Sequence, residues 1–312
     1  MSIISGVGFN TVSKDGHAES IAGDLKHYSD IGADYAELCM GTIDVVAGGK
    51  VVPERLAALT AVTQQFPLKY SVHGLVSSNF MHSATLRHQV DVAKAFLQVC
   101  DAVGSRVLVH HTGFVSPDRR ADRADADKRE FDALAEVADV AAKYDVRIML
   151  ENIFTVQVGE YRKSPTQVAE TVRALDHPNV AGLIDFSHAY IECTYRGLDF
   201  MNELQAMAPI AGHLHVHDSF GQPAGDMRFF YPQESSALGI GDVHLPIGWG
   251  NIRWDEIFSE LTFLPDTILM MEISNRFRSE QASCLDQARK FADAVNSRSP
   301  LSMLAATSTA GN

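Results

Sequence analysis

The sequence predicts a single (β/α)8 barrel with a long loop after the seventh strand, and two observations carry that prediction. Eight apolar, β-branched runs alternate with stretches of helical periodicity, which implies a parallel sheet with helices outside it. No GxGxxG turn follows the first run, as a dinucleotide-binding open sheet would usually show, so the eight strands are expected to close into a barrel.

The first two runs are Ile3–Phe9 and Tyr35–Cys39. Pro67 punctuates the approach to the third, Lys69–His73; a helical stretch, Ala84–Val103, then ends at Gly104 before the fourth, Arg106–His110. Lys128–Lys143 reads as helix and leads to the fifth run, Arg147–Glu151. Ser164 has the character of an N-cap, with Pro165 at the first position of a helix over Pro165–Leu175, and Pro178 precedes the sixth run, Val180–Asp185. The seventh run is Gly212–His217 and the eighth Ile268–Ile273, followed by a helical stretch over Ser279–Val295.

Between the last two runs, Ser219–Gly250 is long, rich in Gly and Pro, and carries Phe229, Phe230 and Tyr231; it is expected to be a functional loop or lid rather than a second domain. The catalytic barrel is assigned to residues 1–296, with 219–250 inserted in it, and the Ser, Ala, Thr and Gly of 297–312 are expected to form a disordered tail.

Composition narrows the class. With 46% hydrophobic and 21% charged residues, the 312-residue chain has material for a sizeable core. The N-terminus lacks a basic region followed by a long apolar stretch, and no segment approaches the ~20 apolar residues of a membrane span, so a cytoplasmic protein without membrane association is expected. Cys39, Cys100, Cys193 and Cys284 lie far apart without a CxxC pair, which opposes a disulfide framework and a thiolate zinc site. A formal charge of −13 opposes a broad nucleic-acid footprint. A homodimer is compatible with the sequence.

In a barrel of this kind the active site forms where the strands end, and six runs terminate in polar residues. His73 and His110 end the third and fourth, Glu151 and Asn152 the fifth, Asp185 the sixth and Glu272 the eighth. Along the seventh, alternation puts His213, His215 and His217 on one face. Two pairs follow in loops, Asp185 with His188 and Asp242 with His244. Any one of these could be a hydrogen-bonded structural residue. Together they would be costly to gather at one barrel mouth without a cation, and His with carboxylate donors suits Zn²⁺, Mn²⁺, Co²⁺ or Fe²⁺.

These residues resemble the xylose isomerase-like barrel superfamily, and their pattern is similar to that of the apurinic/apyrimidinic endonuclease IV family within it. The resemblance implies a four-ligand core of Glu151, Asp185, His215 and Glu272, as in sugar isomerases and epimerases. It adds His73, His110, His188, Asp242 and His244 to complete an endonuclease-like set, the Asp-x-His pair being followed by Leu-Pro-Ile-Gly-Trp-Gly-Asn-Ile. Where the endonucleases carry a DNA-intercalating Tyr, this chain has Leu75-Val76-Ser77-Ser78, and Phe220–Gly241 enlarges a short connection.

The expectation is therefore a metal-dependent phosphoesterase hydrolysing a small sugar- or polyol-containing phosphodiester with two or three divalent ions, zinc first among them. Glu151, Glu272 and His188 are its candidate catalytic residues; Arg228, Asn152, Glu37, His217 and Trp249 are candidate substrate contacts. For Arg228 the alternative is a solvated loop arginine, and for Trp249 it is packing. The rival is a sugar or sugar phosphate isomerase or epimerase in which Glu151 and Glu272 shuttle a proton between adjacent carbons. A DNA-repair endonuclease is a third reading, opposed by the acidic balance and the missing Tyr.

Overall fold

The computed structural model describes residues 2–298. Eight parallel strands close into a barrel: Ile4–Thr11, Tyr35–Cys39, Lys69–His73, Val107–His111, Arg147–Glu151, Val180–Asp185, Ala211–Val216 and Thr267–Met271. Each pairs with its sequence neighbours, and the first closes the ring against the eighth. Helices cover the outside. The expected helix Pro165–Leu175 is present with a capping box between Ser164 and Gln167, and the stretch before the fourth strand folds as Leu86–Val103.

The apolar residues divide into two layers. Inside the barrel Val107, Val109, Met149, Ala181, Leu183, Ile268 and Met270 pack together, while a larger cluster, including Leu108, Leu150, Ile184 and Leu214, lies between strands and helices. Because side chains alternate faces along a strand, the inner set fixes which strand-end residues reach the barrel mouth: those in step with Val109 and Met270.

Ser219–Gly250 is only partly loop, since it contains a helix over Pro232–Leu238. The expected disordered tail lies outside the described residues except at its start. There Ser297 ends the helix Gln281–Ser297, and the Arg298 guanidinium donates to the carbonyls of Phe258 (2.7 Å) and Leu261 (2.9 Å). Among the described residues, no helix is long and apolar enough to cross a membrane, and all four cysteines are free.

Candidate metal centre

Strand alternation delivers Glu151 in step with Met149, Asp185 with Leu183 and Glu272 with Met270, and all three surround His215. Its Nδ1 lies 3.6 Å from Glu151 Oε1, 3.7 Å from Glu272 Oε2 and 3.9 Å from Asp185 Oδ2. The imidazole is fully buried, and neither its Nδ1 nor Glu151 Oε2 has a hydrogen-bond partner. Buried polar atoms are rarely left so. Donors about 2.1 Å from one ion stand roughly 3–3.5 Å apart, so this spacing, slightly expanded, fits a divalent cation between three carboxylates and a histidine.

Glu151 also gathers histidines on its other side. Its Oε2 lies 3.2 Å from His111 Nε2 and 3.4 Å from His73 Nε2, and its Oε1 lies 3.2 Å from His188 Nδ1. Burial alone would hold His73 neutral, but contact with Glu151 outweighs it and raises its pKa to about 9. For Glu151 the balance falls the same way: burial disfavours its charge, and the surrounding imidazoles hold the carboxyl well below the usual range.

A second group adjoins the first. Asp242 Oδ2 lies 2.8 Å from His244 Nε2 and 3.3 Å from His188 Nε2, and its Oδ1 lies 3.7 Å from His217 Nδ1, which has no hydrogen-bond partner. Asp185 links the groups, contacting His217 Nε2 at 3.0 Å and accepting from the His188 backbone N–H as the N-cap of helix Phe186–Arg196. His244 takes a left-handed backbone, φ 47°, uncommon for a residue with a Cβ and a form of strain that recurs at functional sites. Its ring stacks on His217 at 4.1 Å and its Nδ1 lies 2.7 Å from the Glu272 carbonyl. Burial disfavours the charged His244 ring, but Asp242 and Glu272 overcome that and raise its pKa to about 10.

The structure thus brings together His73, Glu151, Asp185, His188, His215, Asp242, His244 and Glu272. His110 is a correction. The fourth strand ends one residue later than expected, at His111, and a shift of one residue exchanges faces. His111 follows Val107 and Val109 inward, whereas His110 points outward with Leu108 onto the Phe80 ring, 4.1 Å between centroids. Burial pushes its pKa down to about 3, which keeps it neutral. The alternation of Val107, Val109 and His111 was the signal that could have identified the inward histidine.

The expected substrate contacts are also revised. Glu37 is fully buried beneath the centre, 3.0 Å from both His213 Nε2 and His215 Nε2. Asn152 braces Asp185 instead of facing the cavity: its Nδ2 donates to the Asp185 carbonyl (2.9 Å) and its Oδ1 accepts from the Asp185 N–H (3.0 Å). His217 is buried inside the second group. Arg228 is exposed and does not line the cavity, and Trp249 packs on Phe277, ring centroids 5.2 Å apart. Arg276 and Asn10, absent from the sequence reading, do line it, and Asn10 Nδ2 reaches Glu272 Oε1 at 3.4 Å.

Residues 25–298 match the profile of the xylose isomerase-like TIM barrel family. The chain belongs to that family. It is 22% identical over 262 residues to an uncharacterized protein of Methanocaldococcus jannaschii, covering 82% of this chain and 80% of that one. Among solved structures it resembles a D-tagatose 3-epimerase-like protein (TM-score 0.70, 19% identity, 94% of this chain and 99% of that). It also resembles the IolI protein with a bound zinc atom (TM-score 0.65, 20% identity, 94% and 98%). Sugar 3-epimerases recur among further structures of this fold. These neighbours overturn the expectation of a phosphodiesterase, and they lend the endonuclease reading no support.

Proposed function

We propose that this protein is a metal-dependent sugar isomerase or epimerase. The observation that carries the reading is the partnerless, fully buried His215 Nδ1 faced by three carboxylates within 3.9 Å. Glu151, Asp185, His215 and Glu272 would hold one divalent cation, with zinc the first candidate and manganese, cobalt or iron the alternatives. When bound, it polarises a sugar carbonyl and steadies the neighbouring hydroxyl.

Proton transfer falls to the two glutamates. In epimerisation one glutamate, as the carboxylate, removes the proton from the carbon beside the carbonyl and the other, as the carboxylic acid, delivers a proton to the opposite face; in isomerisation the glutamate that took the proton returns it to the adjacent carbon. Both line the cavity, as do His73, His111 and His188, so a substrate entering it meets this pair directly. A second cation would find donors next to the first, in Asp185, His188 and His217 or in His217, His244 and Glu272, with Asp242 against His188, His217 and His244.

Elemental analysis combined with solvent-proton exchange tests the reading. Metal-reconstituted protein is incubated in D2O with a panel of free and glycosidically linked keto-sugars. The expected result is bound divalent metal and deuterium at the carbon beside the carbonyl. Glu151→Gln and Glu272→Gln should each lower the exchange rate about 10²–10⁴-fold. No exchange on any keto-sugar by protein with its metal bound would overturn it.

A further inference from the structure

Away from the metal centre, the chain after Glu151 and two helices enclose a second pocket of about 380 Å³, which shares no lining residue with the cavity over the centre. Three arginines from three elements line it. Arg123 opens the helix Arg123–Ala141, Arg162 lies between the fifth strand and the helix Pro165–Leu175, and Arg196 ends the helix Phe186–Arg196. In a chain of formal charge −13, guanidiniums gathered in one concave place mark a local field opposite to that of the whole.

Two of the three are held against aromatic rings. The Arg123 guanidinium lies over Tyr161, 4.1 Å from the ring centroid, and that of Arg162 over Phe114 at 4.7 Å. Stacking of this kind orients the planar group and leaves its edge donors for a partner. The Arg162 side chain is only 9% exposed and gives its Nε to Glu160 Oε1 at 2.6 Å, while its two Nη groups have no hydrogen-bond partner among the described residues. A buried charged donor left so lacks an acceptor, and a ligand in the pocket that Arg162 lines can supply one. The two carboxylates of the wall are already engaged: Glu160 Oε1 also accepts from the Val156 N–H (2.7 Å), Glu192 Oε2 accepts from the Thr155 N–H (2.7 Å), and Glu192 Oε1 stands 3.5 Å from Arg196 Nη1. Asp127, which holds the Tyr161 hydroxyl at 3.0 Å, faces its own cation, Lys163, at 3.6 Å. Three guanidiniums against two carboxylates leave the pocket wall positive.

We propose that this pocket is a binding site for a small phosphate monoester. A carboxylate matches a single guanidinium fork, whereas the several oxygens of a phosphate can meet donors arriving from three directions. The volume lies near the low end of the roughly 300–1,000 Å³ of ligand pockets, so the organic part of the ester is short, and Tyr195, 39% exposed, offers it an aromatic wall. Thr155 and Glu192, joined by their hydrogen bond, belong to the chain that follows Glu151 and to the helix that carries His188. A bound ester therefore ties together two segments that reach the metal centre from outside. The site does not depend on which reaction that centre performs.

Phenyl phosphate and benzoate are titrated calorimetrically into the metal-loaded and the metal-stripped protein, because phosphate held by cations at the centre is lost with the metal and phosphate in the pocket is not. The expected result is that phenyl phosphate binds both forms, more tightly than benzoate, and slows amide hydrogen exchange over residues 155–162 and 192–196. Arg123→Gln/Arg196→Gln leaves the buried Arg162–Glu160 pair intact and should weaken binding about tenfold or more without lowering the melting temperature; Arg162→Gln should weaken it further. If metal removal unfolds the chain, the metal-loaded wild type and double variant decide between them. No binding of phenyl phosphate, binding that requires the metal in a chain that stays folded without it, binding unchanged in the double variant, or benzoate bound as tightly as phenyl phosphate would each overturn the proposal.

Discussion

Glu37→Gln removes one negative charge from beneath the centre while preserving side-chain size. Glu37 sits fully buried between two histidines, with Oε1 3.0 Å from His215 Nε2 and Oε2 3.0 Å from His213 Nε2, and its Oε2 also accepts from Ser71 Oγ at 2.8 Å. Burial disfavours its charge, yet the two imidazoles hold the carboxyl well below its ordinary range. The Glu37 charge, 3.0 Å from Nε2 though not aligned as a hydrogen bond, favours the His215 proton on Nε2 and leaves Nδ1 to face Glu151, Asp185 and Glu272. A glutamine amide can instead present N–H to Nε2, driving the proton to Nδ1, where it blocks the metal. Losing such a supporting group typically costs 10–100-fold in metal affinity, about 1.4–2.7 kcal/mol. Competition with a chelator measures the affinity, and long-range ¹H–¹⁵N NMR reads the His215 tautomer. Affinity within about threefold of wild type, with the tautomer unchanged, would refute the reasoning.

The fourth-strand histidines should separate cleanly: His111→Ala lowers exchange activity roughly tenfold or more by releasing Glu151, whereas His110→Ala lowers the melting temperature through the cavity left beside Phe80 and leaves metal content unchanged. The metal-free protein should lose stability as pH rises. His73 and His244 have folded pKa values of about 9 and about 10, above the ordinary 6.5, so their contribution is complete below 6.5 and disappears through 9 to 10. Metal affinity should move oppositely over that range, because ligands bind metal only after losing their protons; melting curves with and without metal check both signs. Asp242→Ala/His244→Ala should lose the second cation, retain the first and reduce sugar exchange only mildly, as elemental analysis and the D2O assay would report; complete loss of exchange would make the second group part of the chemistry.

The barrel was legible because each strand is a short apolar run and each joint carries its own punctuation, as at Ser164-Pro165. The candidate core ligands were legible for a related reason: Glu151, Asp185, His215 and Glu272 end or lie within apolar runs, where a buried polar group is hard to explain otherwise. His110 was misread because two adjacent histidines end one strand, and only the facing of Val107 and Val109 distinguishes them. Glu37 and His213 could not be ranked from the chain alone, since their proximity comes from closing the second strand onto a barrel whose seventh strand lies across the interior. The placing of Phe229, Phe230 and Tyr231 at the cavity likewise depends on how 219–250 folds, which local propensity does not determine.

Both ends of the long segment are clamped by one residue beside the candidate metal centre. Asp218, fully buried just after the seventh strand, exchanges backbone hydrogen bonds with Leu245 at 2.8 and 3.1 Å. Its side chain accepts from the N–H groups of Gly248 (2.7 Å) and Ile252 (3.3 Å) and from Trp254 Nε1 (3.2 Å). At Gly250 the backbone passes so near the Ser219 carbonyl that a Cβ would collide with it, which explains a glycine there. The chain bearing Asp242 and His244 is therefore fixed from its C-terminal side by the barrel itself. The stretch from Phe220 to Gly241 lies outside that clamp, and it places Phe229, Phe230 and Tyr231 over the site.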